Sequence, residues 1–301
     1  MGAILLTGGT GFLGSRILDF LSSAGLQTVV LKRSTSQPWR ISKIGDIVQS
    51  FDVDKVPLSE VFSRWQVDAV IHASVDYGRG YDLAKRLVES NILFPLEIAE
   101  LALQSGAELF VNAHTFSDMR SLGTGFPYHY SISKRQVVEW LRYLSPRIAV
   151  CNLTLQFLYG PRDAEAKFVP WLLRSLLEGK TEISLTRGAQ RRDFIYVDDA
   201  ARAFMTVISQ KAAFKGYSEI DVGTGVHTPL RDFVRLAARL TERITHGRVQ
   251  TRLRFGALPY RPDDPMNVHT RLKKLKSLGW APEVGLEEGL LRTIEWYAEQ
   301  K

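Results

Sequence analysis

A glycine-rich segment near the start of the chain constrains its fold more than any other feature. The apolar run Ala3–Thr7 leads directly into Gly8, Gly11 and Gly14, and a helical pattern follows. Glycine allows a tight strand-to-helix turn, close approach of backbone amides to a phosphate group and close packing of helix on strand. The helix amino terminus also favours an anion. This position favours a dinucleotide-binding loop over a plain glycine-rich turn. The expected contacts to the dinucleotide are Gly8, Thr10, Gly11, Phe12, Leu13 and Gly14.

Strand and helix patterns alternate through the first half of the chain. Buried strands are predicted at Ala3–Thr7, Thr28–Lys32, Val48–Phe51, Ala69–Ala73 and Leu109–Ala113. In this half, helices are predicted at Gly14–Ser23, Leu58–Trp65 and Asn91–Gln104; after Asn152 the order changes, and helices are predicted at Lys167–Gly179 and Leu230–Glu242. This alternation is typical of an α/β fold, here a Rossmann-type doubly wound parallel sheet with a smaller C-terminal α/β substrate lobe. We expect residues 1–155 to form the dinucleotide-binding domain, rejoined by parts of 190–225. Residues 156–301 should form mainly the lobe that binds substrate.

The composition narrows the classes of function. Cys151 is the only cysteine among 301 residues, which excludes an intramolecular disulfide and a cysteine-based zinc cage; no metal site is predicted. No window contains the ~20 apolar residues of a membrane span, so we expect a soluble, cytoplasmic protein without a membrane partner. The net charge of +7 favours anionic partners, but the basic residues are scattered. A phosphorylated small molecule is therefore expected rather than nucleic acid.

Basic residues end the second predicted strand. Enzymes that bind NAD usually carry an acidic residue there for the ribose hydroxyls, whereas this chain has Lys32 and Arg33. Because these side chains suit a 2′-phosphate, the sequence favours NADP(H) over NAD(H), with an exposed basic pair as the alternative. Asp52 and Val53 follow the third strand and are expected beside the adenine. A turn-capping role for Asp52 competes with that contact.

Tyr130 and Lys134 form the candidate catalytic pair. Their spacing of four residues places both side chains on one face of a helix. A free tyrosine has a pKa of about 10, and a neighbouring ammonium group lowers it toward the range useful for proton transfer. Thr115, at the end of the fifth strand, is expected to hydrogen-bond the substrate oxygen, with strand capping as the alternative. Asn91 is expected to cap a helix or to contact the active-site backbone.

Together these residues resemble the extended short-chain dehydrogenase/reductase family of nucleotide-sugar epimerases, dehydratases and reductases. Thr7–Gly14 is similar to the glycine motif of the family, and Asn91, Thr115, Tyr130 and Lys134 match its helix asparagine and catalytic set. Three further segments resemble its strand-four signature, its "VYGPGD" turn and its "RDFIYVDD" segment: Val70–Ser74, Leu158–Asp163 and Arg191–Asp199. The resemblance covers nearly the whole chain.

The resemblance implies further site residues. Ala73, Ser74 and Asn91 would lie at the cofactor, and Lys134 would also hold the nicotinamide ribose. Arg192 and Arg261 would bind the diphosphate of the substrate, and Lys167 and Phe168 would bind its nucleotide. The sugar would be bound by Tyr77, Gly78 and Thr115. The family also implies a homodimer, formed through a four-helix bundle that includes the helix carrying Tyr130.

Within the family, the chain most resembles the CDP-abequose and CDP-paratose synthases, which are 4-ketoreductases of deoxysugar biosynthesis. Dehydratases of the family follow the strand-five threonine with Asp-Glu, whereas Phe116 and Ser117 follow Thr115 here. We therefore expect NADPH-dependent reduction of a 4-keto group on a nucleotide-activated, CDP-linked 6-deoxy or 3,6-dideoxy hexose, as in O-antigen sugars. The alternatives are a 4-epimerase that keeps NAD bound and a non-catalytic NADP-binding sensor or scaffold.

Overall fold

The computed structural model describes residues 2–42, 48–78, 83–116, 128–247, 250–262 and 264–300. Its strands are β1 (Ala3–Thr7), β2 (Thr28–Lys32), β3 (Gln49–Asp52), β4 (Val67–His72), β5 (Leu109–Thr115), β6 (Ala149–Leu155), β7 (Phe157–Tyr159), β8 (Glu182–Leu185), β9 (Arg191–Tyr196), β10 (Tyr217–Val222), β11 (His227–Pro229) and β12 (Arg252–Phe255). Its helices are α1 (Phe12–Ser23), α2 (Leu58–Arg64), α3 (Leu83–Val88), α4 (Phe94–Gln104), α5 (Tyr128–Leu144), α6 (Phe168–Leu177), α7 (Val197–Ser209), α8 (Leu230–Ile244), α9 (Lys273–Ser277) and α10 (Leu286–Glu299).

The chain divides into two compact units. Unit 1 consists of Met1–Leu155, Ala200–Val222 and Leu272–Trp280. Unit 2 consists of Gln156–Asp199, Gly223–Arg271 and Ala281–Lys301. None of the helices in the described ranges is both long and apolar enough to cross a lipid bilayer.

The sheet of unit 1 confirms the predicted Rossmann-type fold. Its seven strands follow the order β10-β6-β5-β4-β1-β2-β3, and all neighbouring pairs are parallel. The strand order reverses between β1 and β4, and ligands of such sheets bind beyond the carboxyl ends of the strands at this point. The interior strands are continuously apolar and buried because helices cover the sheet.

Two expectations from the pattern were wrong in detail. The third strand was predicted to be buried, but β3 is exposed to half-buried because it forms an edge of the sheet. Asn91 was predicted to open a helix. It instead lies inside a π-helical turn, Glu89–Leu93, that joins α3 to α4, so it cannot cap a helix start.

Unit 2 has its own core around two small sheets. One sheet has the order β11-β9-β7, and the other pairs β12 with β8. Helices α6, α8 and α10 pack together and contribute to this core. The rings of Phe194 and Phe233 stack at 3.9 Å between centroids, and Tyr159 meets both edge-on. These buried aromatics tie β7 and β9 to α8.

Candidate active site

The glycine loop lies where β1 enters α1. A Cβ atom on Gly14 would lie 2.0 Å from the carbonyl oxygen of Gly8, and one on Gly8 would lie 2.6 Å from the amide nitrogen of Ser74. Both positions are therefore closed to any side chain. By contrast, a Cβ on Gly11 would meet only the Gly8 oxygen, at 3.1 Å. The backbone at Gly11 is thus open to a ligand, at the start of a helix whose first turn carries no acidic residue.

A hydrogen-bond network joins the ends of β1 and β4. The hydroxyl oxygen of Thr7 accepts hydrogen bonds from the amides of Ala73 and Ser74, both at 3.2 Å. Its own proton is then available to the Nδ1 atom of His72, 3.0 Å away. The Ser74 hydroxyl oxygen is buried and has no hydrogen-bond partner among the described residues. A buried polar atom of this kind beside the glycine loop fits a bound dinucleotide.

His72 makes this network sensitive to acid. Its burial, together with the nearby charge of Lys134, lowers the pKa of the imidazole to about 3. An unfolded chain protonates histidine at a pKa of about 6.5, so it binds the proton first as the pH falls. We therefore expect the free energy of unfolding to fall by up to about 1.4 kcal/mol per pH unit between these two values.

Urea denaturation at several pH values tests this expectation. Replacement His72→Gln should lower stability at pH 7 but flatten its dependence on pH between about 6.5 and 4. Exposed His129 provides the matched control, and His129→Gln should keep the slope of the natural chain. Equal slopes for all three proteins would show that His72 is not the acid-sensitive group.

The basic residues at and after the end of β2 have different partners. The Lys32 ammonium group forms an ion pair with the Asp52 carboxylate across paired strands β2 and β3. The sequence had predicted a 2′-phosphate contact for Lys32, and an adenine contact or a turn cap for Asp52; this ion pair is none of these. Arg33 is exposed and donates to the Ser90 hydroxyl at 3.1 Å. Arg40, which sequence analysis missed, donates to the Thr10 carbonyl oxygen at 3.3 Å and lies over the Trp39 ring.

The remaining adenine-side prediction is Val53, whose amide donates to the Lys32 carbonyl oxygen at 2.8 Å. Its side chain is partly buried against the core of unit 1. This extends the β2–β3 pairing by one residue beyond Asp52. Leu13 and Phe12 lie in the first turn of α1, and the side chain of Leu13 is buried.

Helix α5 carries the candidate catalytic pair. Tyr130 lies in its first turn, and Lys134 follows one turn later on the same face. Lys134 is buried, and its Nζ atom donates to the carbonyl oxygen of Ala113 at 2.8 Å. Ala113 and Thr115 lie on the last part of β5. The hydrogen bond thus fixes the ammonium group near the carboxyl end of the strand that carries Thr115.

The loop after β4 places Tyr77 against Tyr130. Their ring centroids lie 5.3 Å apart. Asn91 holds this loop, because its side-chain oxygen accepts from the Asp76 amide and its nitrogen donates to the Asp76 carbonyl, both at 2.8 Å. The Asp76 carboxylate in turn binds Arg86 and the amide of Gly78, also at 2.8 Å. Asn91 therefore holds the backbone of this loop.

In unit 2, β9 carries Arg192 in a buried position. Its guanidinium forms an ion pair with Asp264 and donates to the carbonyl oxygens of Arg191 and Pro265. Burial lowers the pKa of Arg192, and the charge of Asp264 opposes that effect. The adjacent Asp193 accepts four hydrogen bonds. They come from the amide and hydroxyl of Thr224, the amide of Gly225 and the hydroxyl of Thr270.

The other predicted substrate residues of unit 2 lie at the start of α6 and in an exposed loop. Lys167 precedes α6 and pairs with the Asp163 carboxylate at 2.9 Å. Phe168 begins that helix, and its ring lies 5.9 Å from that of Trp171. Arg261 is exposed. The described part of the chain holds no cluster of three or more His, Cys, Asp or Glu residues suited to a metal ion.

Three comparisons relate the chain to known proteins. The profile of the NAD dependent epimerase/dehydratase family matches residues 4–223. A CDP-abequose synthase from Salmonella muenchen is 28% identical over 295 residues, which cover 97% of this chain and 96% of that protein. A dTDP-glucose 4,6-dehydratase from Neisseria gonorrhoeae is 26% identical over an alignment of 340 residues, which covers 99% of this chain and 96% of that protein. The crystal structure of the Thermotoga maritima UDP-glucose 4-epimerase with UDP-glucose superposes with a TM-score of 0.81 at 23% identity, covering 99% of both chains.

Proposed function

The chain belongs to the NAD dependent epimerase/dehydratase family of nucleotide-sugar enzymes, and we propose that it is a 4-ketoreductase. In this proposal the substrate is a nucleotide-activated, CDP-linked 6-deoxy or 3,6-dideoxy hexose with a keto group at carbon 4. The observation that carries the proposal is the Tyr130 and Lys134 pair on α5, with the Lys134 ammonium group bonded to the end of β5. The likeness to CDP-abequose synthase over nearly the whole chain supports the substrate class.

Each residue of the pair has a defined part in the reduction. Bound NADPH would supply the hydride for carbon 4. Tyr130 donates a proton to the alkoxide oxygen that forms there, and Lys134 stabilises the resulting phenolate by its charge. The Thr115 hydroxyl donates a hydrogen bond to the same oxygen and so orients the carbonyl. Phe116 follows Thr115 and supplies no acid or base, which favours reduction over elimination.

NADPH is preferred in this proposal because Lys32 and Arg33 stand at the end of β2, where enzymes that bind NAD usually carry an acidic residue. The Asp52 carboxylate is already paired with Lys32. Arg33, which donates to Ser90, and Arg40, which donates to Thr10 of the glycine loop, both carry guanidinium groups that suit a 2′-phosphate. The glycine loop, Ala73 and Ser74 would hold the rest of the dinucleotide, and the unpartnered Ser74 hydroxyl supports that contact.

The predicted substrate contacts fall into two groups. Tyr77, Gly78 and Thr115 of unit 1 would contact the sugar. Unit 2 would bind the nucleotide through Lys167 and Phe168 and the diphosphate through Arg192 and Arg261. Asp264 fixes the Arg192 guanidinium in place. Because the side chain is already ordered, it would lose little conformational entropy when it binds a phosphate group.

Cofactor oxidation measured at 340 nm tests the proposal. Purified protein is assayed with a panel of 4-keto-6-deoxy sugar nucleotides, with NADPH and NADH in parallel. We expect oxidation of NADPH that depends on one keto-sugar and is slower with NADH. Interconversion of two sugar nucleotides without net oxidation would instead identify an epimerase. Binding of NADPH without turnover on any substrate would indicate a sensor.

We also propose a homodimer, with a second copy covering an exposed apolar face of unit 1. On α5, Trp140 and Tyr143 are 53% and 73% exposed, and their rings meet edge-on. Leu93, beside the adjacent helix α4, is 55% exposed. Sedimentation equilibrium should therefore give twice the chain mass. The double change of Trp140 and Tyr143 to glutamate should give a monomer, and a monomeric natural protein would refute the proposal.

A further inference from the structure

Helix α8 carries an unusual concentration of positive charge. Its arginines recur every fourth residue at Arg231, Arg235, Arg239 and Arg243, which we call the α8 arginine row. Side chains at this spacing lie on one face, where like charges repel and destabilise the helix. Residues 230–255 contain seven arginines and two acidic residues, a net charge of +5 out of the chain's +7.

The ion pairs recorded for this row in the described ranges are weak. Arg235 approaches Asp232 at 3.8 Å, and Arg243 approaches Glu287 at 3.9 Å, both longer than a hydrogen bond. Both arginine side chains are 59% exposed. Such exposed, loosely paired charges contribute little to folding stability. Arg235 also lies over the Phe255 ring, 5.4 Å from its centroid. The weak ion pairs leave the guanidinium groups of the row accessible to an anionic ligand.

A cavity in unit 2 lies at the centre of the arginine row. It is an open hollow of about 390 Å³, a volume within the range of small-molecule sites. Arg235 and Arg239 line it, whereas Arg231 and Arg243 do not. Leu176 of α6, Ala238 of α8 and Leu253 of β12 provide apolar lining. Charge and apolar surface thus meet in one concave site.

The polar groups of the cavity narrow the class of ligand. Glu242 lines it, and a carboxylate suits the paired hydroxyls of a ribose better than it suits a simple anion. Gln250 and Thr251 add hydrogen-bonding groups. The Thr251 hydroxyl oxygen is buried and has no hydrogen-bond partner among the described residues. A buried polar atom without a partner is uncommon in a folded protein and fits a bound ligand.

We propose that this cavity is a second nucleotide site, which binds a nucleoside phosphate. Arg235 and Arg239 bind the phosphates, Glu242 accepts hydrogen bonds from the ribose, and the base lies on the apolar lining beside Thr251. Bidentate hydrogen bonds from guanidinium to phosphate provide the specificity for the anion. The site involves none of the residues of the proposed reductase reaction and stands independently of it.

The single cysteine of the chain allows a local test. Cys151 is buried, and burial raises the pKa of its thiol to about 12, so it reacts slowly with maleimide at neutral pH. The variant Ala238→Cys places a reactive thiol in the cavity. We expect CDP or ADP to slow its modification, whereas cytidine, adenosine and inorganic phosphate at equal concentration should protect weakly. Exposed Ser209, in unit 1, gives the control thiol through Ser209→Cys, which no nucleotide should protect.

The arginine row supplies matched variants. In the Ala238→Cys background, Arg239→Gln should raise the nucleotide concentration for half-protection about tenfold, the effect of losing one charge-assisted hydrogen bond. Arg243→Gln removes the same charge outside the cavity and should change that concentration less than about twofold. Equal losses would indicate general electrostatic attraction and overturn the site. Full protection by phosphate alone would overturn the nucleoside assignment, and no protection by either nucleotide would overturn the proposal.

Discussion

Tyr130→Phe is expected to reduce kcat for the keto-sugar by about 10²–10⁴-fold, the usual contribution of a positioned general acid. The change removes one hydroxyl group and keeps the ring that lies 5.3 Å from that of Tyr77. It also leaves the bond between Lys134 and Ala113 in place, so the end of β5 should not move. NADPH affinity should therefore stay close to that of the natural protein. The loss should fall on kcat and not on binding.

Tyr128→Phe is the matched control for this prediction. Tyr128 lies in the same first turn of α5, two residues before Tyr130, and its ring packs near that of His129. Loss of its hydroxyl should change kcat by less than about twofold, because an ordinary substitution away from the chemistry has small effects. If Tyr130→Phe retained more than a tenth of the activity, the proton would come from another group. If both variants lost activity equally, the effect would belong to the helix and not to the phenol.

The regular strands of the fold were predictable because their buried positions require apolar residues. Strands β1 and β2 begin and end where the apolar runs do, since each lies between neighbouring strands and under helices. Strand β3 escaped the pattern because an edge strand needs no apolar side chains on both faces. The π-helical turn at Asn91 was equally invisible, because one extra residue per turn leaves no mark on a short hydrophobic pattern.

Pairings between charged side chains could not be predicted from the sequence. The ion pair of Lys32 with Asp52 depends on the register of β2 against β3, which no local motif encodes. The pair of Arg192 with Asp264 joins residues that are far apart in the chain. Arg40 was missed because the 3₁₀ turn Pro38–Ile41, which brings it to Thr10, carries no dinucleotide motif.

The glycine loop gives the second large effect, expected for Gly14→Ala. The added Cβ would lie 2.0 Å from the oxygen and 2.6 Å from the carbon of the Gly8 carbonyl group. Both are backbone atoms, so no side-chain rotation relieves the contact and α1 must move away from the loop. Overpacking of this kind costs about 1–3 kcal/mol. We expect a lower midpoint of urea denaturation and a dinucleotide Kd raised about tenfold to a hundredfold, measured by titration calorimetry.

Two further glycines separate the two effects of Gly14→Ala. Gly11 has an extended backbone that alanine adopts, and its Cβ would make one contact, at 3.1 Å. Gly11→Ala should therefore weaken dinucleotide binding and cost much less stability than Gly14→Ala. Gly25 follows the other end of α1 with φ +65° and open space around it. Because alanine is strained in this left-handed conformation, Gly25→Ala should lower the free energy of unfolding by about 1–2 kcal/mol. Dinucleotide binding should stay intact. If Gly11→Ala bound the dinucleotide normally, the phosphate would not lie on this loop, and the loss in Gly14→Ala would reflect unfolding alone.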